Sequence, residues 1–356
     1  MSTKPHICFD RILPEDLLKP KASFKIITRA GGLSALPEPP SRLALEKKKL
    51  WINGSVLSVR FLEGTQGQQE QVKKFASAWS KHANIRFDFN NSKDAEIRIT
   101  FKENDGAWSY IGTDSRAIPF DSPTMNLGWL DNAVVLHEFG HALGMIHEHQ
   151  NPLGGLKWNT EKVYQDLGGS PNFWDKETVD HNMFATYDTN QINGTVLDKK
   201  SIMLYAIPAS WTLDGFSSVE NTDLSITDKA FIGEAGNYPF ETKVSDPVEL
   251  KIGATKAVSS EIGKEGEEDL FYFKIIKEGK YNIETKGKTD LVMNLYGPDS
   301  QTKLMVRDNN NGAFLNPKIL TDLLPGKYYV QIRHNNPRGT GKYSIFISSK
   351  KRKLSF

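Results

Sequence analysis

Apolar and polar positions alternate over residues 56–62, where Leu57, Val59 and Phe61 are separated by Ser58 and Arg60. A period of two predicts a strand with one buried face. The period then changes. Over residues 68–82, Val72, Phe75, Ala76 and Trp79 recur at helical spacing, which predicts an amphipathic helix. Alternation returns over 96–101 through Ile97, Ile99 and Phe101. Residues 132–143 read as a second helix, with Val134, Val135 and Leu136 feeding a core. Strand, helix, strand, helix predicts a mixed α and β unit. Residues 151–198 are rich in turn formers and show little periodicity, so no element is predicted there.

The last third has another rhythm. Short β-rich runs at 270–276, 280–284, 291–296, 327–333 and 342–347 are separated by Gly297-Pro298-Asp299, residues 309–312 and Pro325-Gly326. Strands with turn signals and no helical period predict a β-sandwich. Residues 5–50 carry no clear period. Gly31-Gly32 and Pro37-Glu38-Pro39-Pro40 suggest an extended arm or prosegment. The expected organisation is an arm over 1–49, a catalytic unit over 50–240 and a linker over 241–246. A sandwich follows over 247–350 and a basic tail over 351–356.

Composition narrows the classes. The chain has 356 residues, 38% hydrophobic and 25% charged, which excludes a largely disordered or collagenous protein. Net charge is only +2, so nucleic acid is not an expected partner. By segment it runs +5 over 1–49, −9 over 50–240 and +6 over 241–356. Cys8 is the single cysteine, which excludes an intrachain disulfide. No apolar run reaches the ~20 residues of a membrane helix. The polar start shows no secretory signal. A monomer is expected.

The chemistry concentrates in His137-Glu138-Phe139-Gly140-His141-Ala142-Leu143-Gly144-Met145-Ile146-His147. His137 and His141 are four apart and share one helix face, so two imidazoles converge on one metal. Glu138, one residue on, reaches a metal-bound water without ligating the metal. His147 cannot lie on a straight continuation of that face. Gly144 permits the left-handed exit that swings it back. Three protein ligands leave one position open, the mark of a catalytic zinc site. His149 lies outside this spacing and reads as a loop residue.

On these residues the chain resembles the metzincin zinc endopeptidases, particularly the astacin-like and matrixin-like members, over residues 50–240. Glu148, directly after His147, and Ser201-Ile202-Met203-Leu204-Tyr205 carry the resemblance further. Met203 lies 56 residues after His147 and matches the family's methionine turn. The resemblance implies that Met203 forms an apolar floor beneath the imidazoles. It implies that Tyr205 ligates zinc at rest and swings to the oxyanion during reaction. Residues 107–112, His149-Gln150-Asn151-Pro152 and Ala206-Ile207-Pro208 are more similar to a microbial branch than to the animal astacins. The last third resembles the prepeptidase C-terminal β-sandwich, through residues 269–273, 291–296 and 325–330.

The implied fold is an α+β metzincin-like zinc protease domain followed by an all-β sandwich. The implied function is a zinc-dependent endopeptidase in which Glu138 is the general base. Polypeptide substrates would pair with an edge strand near residues 108–112. The family context suggests an extracellular location. The alternative is a secreted binding or adhesion protein with a vestigial zinc site. Asp290, Asp299 and Asp308 are candidate calcium ligands in the sandwich turns. Cys8 offers a thiolate that could fill the open zinc position and keep the enzyme a zymogen. Asp10 offers a carboxylate for the same role, and an incidental thiol packed on the surface is the remaining reading.

Overall fold

The computed structural model describes residues 7–11, 45–46, 49–151, 154–170, 172–186, 192–193, 197–234, 236–240, 247–264, 266–309, 311–312, 315–336 and 339–350. The proposed linker, the basic tail and most of the proposed arm lie outside them. Contacts divide the chain into two compact units. The first comprises Met1–Leu50, Ser58–Trp79 and Asp88–Phe231, and the second comprises Trp51–Leu57, Ser80–Phe87 and Ile232–Phe356.

A six-stranded sheet organises the first part of the chain. Its strands are β1 (Phe9–Asp10), β3 (Val56–Phe61), β4 (Arg86–Asp88), β5 (Ile97–Thr100), β6 (Ala107–Ser109) and β7 (Met125–Leu127), in the order β1-β6-β7-β5-β3-β4. β3, β5 and β7 run parallel, β6 is antiparallel to β7, and β1 adds to β6 in parallel. A separate two-stranded ribbon joins β2 (Leu45–Glu46) to β8 (Ile192–Asn193). All four residues of β5 are buried. That includes Arg98, whose guanidinium donates to the carbonyls of Ala95, Ser115, Ile118 and Ser122. Burial and the neighbouring Arg116 hold the Arg98 pKa down at about 10. A buried guanidinium wholly engaged by carbonyls fixes the path of residues 115–122 beyond β6.

Helix α1 (Gln66–Ala76) starts at a reciprocal cap between Thr65 and Gln68 and buries Val72 and Ala76. The predicted helix over 68–82 is shorter than expected. Ser77 caps it by binding the Lys73 carbonyl, and Trp79 continues in a separate tight turn, Trp79–Lys81. Helix α2 (Asn132–Ala142) is capped by Asp131 and buries every residue from Ala133 to Ala142. A helix buried all round is a core helix, not a surface one. The indole of Trp79 donates to the Leu136 carbonyl at 2.9 Å, which ties the turn after α1 to α2.

Residues 151–198 do contain helices: α3 (Thr160–Leu167), α4 (Lys176–Val179) and a wider turn over Asp180–Phe184. Side chains of Asn159 and Asp175 cap α3 and α4. The pattern gave no warning because α3 buries only Val163 and Leu167, one repeat of the helical period. The last helix before the sandwich among the described residues is α5 (Ile226–Ile232).

The remainder is a β-sandwich. One sheet has the order β10 (Val258–Ile262), β17 (Gly341–Lys350), β12 (Gly279–Gly287), β15 (Lys318–Leu323). The other has the order β14 (Leu304–Asp308), β13 (Leu291–Tyr296), β16 (Gly326–His334), β11 (Glu268–Ile275), β9 (Val248–Glu249). Ile262, Ile283 and Ile345 of the first sheet pack with Phe271, Phe273, Leu295 and Val330 of the second. Alternate residues of the second sheet, Leu270 and Tyr296, are buried on its other face against Ile52. The chain is therefore an α+β unit followed by an all-β sandwich. No helix among the described residues is long and apolar enough to cross a membrane.

Candidate metal centre

Helix α2 sets His137 and His141 one turn apart. Its exit is a paired C-terminal turn: Gly144 N–H donates to the His141 carbonyl at 2.8 Å and Met145 N–H to the Gly140 carbonyl at 3.0 Å. Gly144 holds φ at +101°, a left-handed conformation that side chains disfavour. The chain turns there, and His147 returns to the helix face. His141 Nε2 then lies 3.1 Å from His137 Nε2 and 3.2 Å from His147 Nε2.

Outward bonds fix two of the rings. His137 Nδ1 donates to the Ile202 carbonyl at 2.7 Å, and His141 Nδ1 to the Met145 carbonyl at 2.8 Å. With Nδ1 carrying the proton, Nε2 presents its lone pair inward. His147 Nδ1 lies 3.3 Å from Tyr205 Oη. All three histidines are buried, as is Glu138.

Cys8 joins this cluster. Its Sγ lies 2.8 Å from His137 Nε2 and 3.2 Å from His147 Nε2. The four ligand atoms fall within 4.8 Å of one another. Tetrahedral zinc with ordinary bond lengths separates two nitrogens by ~3.3 Å and a nitrogen from a sulfur by ~3.6 Å. The two spacings from His141 Nε2 are close to that geometry, while Cys8 Sγ stands nearer to His137 Nε2 than a shared zinc would set it; three imidazoles with one thiol form a donor set suited to zinc. Among the described residues this is the one such group of three or more ligands. Asp290, Asp299 and Asp308 are not gathered into another. The Asp10 side chain lies outside the described residues.

Ser201 to Tyr205 run beneath the histidines. Met203 is buried, and its sulfur lies where a Cβ on Gly140 would collide with it, so the glycine before His141 makes room for the methionine. The Met203 carbonyl accepts from Glu148 N–H at 3.0 Å, which joins this turn to the segment just after His147. Tyr205 Oη donates to the Cys8 carbonyl oxygen at 2.6 Å and lies 3.9 Å from Cys8 Sγ.

Two carboxylates, neither of them given a role from the sequence, hold this frame. Glu148 Oε1 accepts from Asp198 N–H at 2.9 Å, and burial pushes the Glu148 pKa up to about 9, partly offset by that bond. Asp228, on α5, accepts from Ser201 Oγ, Ile202 N–H and Ser225 N–H, each at 2.8 Å. Burial raises its pKa and these bonds pull it back. In sequence, Ser225-Ile226-Thr227-Asp228 carries a helix-start signal. Nothing in the sequence says that its carboxylate also reaches Ile202.

The family model for the astacin peptidases matches residues 44–166, which include α2 and the three histidines. A solved structure of myroilysin is 45% identical, with 53% of this chain and 96% of that chain covered and a TM-score of 0.52.

The chain belongs to the astacin family.

Among curated astacin-type relatives, zinc metalloproteinase nas-23 of Caenorhabditis elegans is 24% identical over 187 residues, 52% of this chain and 32% of that protein. The chain thus spans about a third of the length of that astacin relative. The last third is similar to the pre-peptidase C-terminal domain of a Bacillus anthracis collagenase, at 15% identity over 29% of this chain and 96% of that one, with a TM-score of 0.25.

Proposed function

We propose that the protein is a zinc-dependent endopeptidase made latent by its own N-terminal segment. The convergence of the three histidine Nε2 atoms with Cys8 Sγ carries this reading. His137, His141 and His147 hold the ion in the working enzyme, and Cys8 occupies the fourth position in the resting one. When bound there, zinc makes a water acidic near neutrality and polarises the scissile carbonyl.

The chain's own groups do the rest. Glu138, buried and one residue from His137, takes the proton from the attacking water and passes it to the leaving amine. Tyr205 Oη, which holds the peptide carbonyl of Cys8, donates to the substrate oxyanion when that carbonyl is replaced. Met203 fills the space below the rings. β1 covers the free edge of β6, pairing Phe9 with Trp108 and Asp10 with Ser109. Once β1 leaves, that edge can pair with an extended polypeptide. Backbone pairing favours cleavage within chains over trimming of ends. The family context favours an extracellular site of action.

The test is Glu138→Gln in a chain that also carries Cys8→Ser. One zinc per chain is expected in both the variant and its parent. Casein cleavage should fall by ~10²–10⁴-fold on losing the base, and a chelator should abolish cleavage by the parent. Zinc binding with no cleavage by the parent would favour the adhesion reading instead.

A further inference from the structure

The wall beside the histidine cluster already holds one side chain in a receptor of its own. Arg11, three residues after Cys8, places its Nη2 3.1 Å from both carboxylate oxygens of Asp105. Its guanidinium carbon lies 4.0 Å from the Trp108 ring centroid. The indole N–H of Trp108 donates to Asp105 Oδ2 at 3.0 Å. That bond belongs to the enzyme's own wall, and it aims the carboxylate whether or not the arm is present. The receptor thus offers an aromatic face and, beside it, a carboxylate. A planar, permanently charged guanidinium fills both at once, and a lysine ammonium fills them less well.

We infer that Asp105 and Trp108 form a substrate subsite selecting a basic side chain, arginine above lysine, about three residues from the cleaved bond. The inference rests on the endopeptidase reading and names part of its substrate class. Cys8 marks the metal end of the cleft and β1 follows the edge of β6. A substrate pairing with β6 in either direction alternates its side chains, so every second one faces the wall that Arg11 now meets. Phe9 lies two residues before Arg11 and packs with Trp108, Tyr110 and Ile118, on the same side as a two-residue period requires. The arm is therefore seated as a peptide strand, with its side chains in the places a substrate's would take.

The experiment uses the full chain, zinc-loaded, carrying Cys8→Ala and Arg11→Ala so that the arm no longer fills the receptor. Decapeptides with Arg, Lys, Gln or Glu at each position in turn are compared by kcat/KM. The same peptides, labelled, are compared by fluorescence anisotropy on that chain with Glu138→Gln added. Preference is expected at a single position, in the order Arg, Lys, Gln, Glu, with Arg over Gln by about 3- to 30-fold. Asp105→Asn should bring that ratio towards one, and Asp105→Lys should favour Glu. Glu70→Gln, on the exposed face of α1, should leave the ratio unchanged. Peptides bound or cleaved with no preference for Arg, or a preference that survives Asp105→Asn, would overturn the inference and leave Asp105 as a clasp for the arm alone. Peptides that bind selectively but are never cleaved would leave this subsite standing and defeat the peptidase reading.

Discussion

The Nδ1 of His137 lies 2.7 Å from the carbonyl oxygen of Ile202, and the N–H of that same Ile202 is held by Asp228 at 2.8 Å. One residue of the methionine turn thus joins a proposed metal ligand to a buried carboxylate on α5. Removing that carboxylate strands three donors: Ser201 Oγ, Ile202 N–H and Ser225 N–H. Asp228→Ala is expected to cost about 3 kcal/mol of stability, since buried unmet donors cost ~1–3 kcal/mol each and part of the loss relaxes. Zinc affinity should weaken by ~10–100-fold, as when other outer partners of metal-binding histidines are lost. Chelator competition and urea unfolding measure the two effects. Unchanged zinc affinity would show that the turn holds its place without Asp228.

Tyr205 donates to a peptide carbonyl beside the metal site in the resting chain. If it donates to the oxyanion during reaction, Tyr205→Phe in a Cys8→Ser chain should lower kcat by roughly 10–10³-fold with little change in KM. Steady-state kinetics on one fluorogenic peptide decide this. Equal kcat in the two chains would reduce Tyr205 to a latch on the arm.

The sandwich buries residues that precede it by some two hundred positions. Ile52 packs with Leu270 and Tyr296, and Asn53 N–H lies 3.4 Å from Glu268 Oε2. A chain ending at residue 246 would return Ile52 to water, at about 1.5–3 kcal/mol for a fully buried aliphatic side chain. Such a truncation should melt several degrees below the corresponding transition of the full chain in calorimetry. Coincident transitions would mean that residues 51–57 are held as well without the sandwich.

The histidine cluster was legible because its geometry is local. A four-residue spacing fixes two rings on a helix, and a glycine at the exit fixes the return of the third. The sandwich was legible for another local reason, since short β-rich runs such as 291–296 and 327–333 are broken by the turn residues Gly297-Pro298-Asp299 and Pro325-Gly326. What escaped depends on distant pairings. Asp228 reads as a helix-start residue until α5 meets residues 201–202. Asp105 and Trp108 read as turn and strand residues until Arg11 lies across them. Ile52 sits in a short apolar run, Leu50-Trp51-Ile52, that has no period to announce a partner. Cys8 was reachable because a thiolate can fill an open zinc position, but the carboxylate of its neighbour Asp10 offered the same role.

Cobalt substitution tests the central claim most directly. A thiolate bound to Co²⁺ gives a near-ultraviolet charge-transfer band that histidine nitrogens do not give. The full chain loaded with Co²⁺ should show that band, with one metal per chain and low peptidase activity. Cys8→Ser should lose the band, keep the metal and gain activity. Identical spectra for the two chains, or a full chain already as active as Cys8→Ser, would contradict the account of a zinc centre closed by its own N-terminal cysteine.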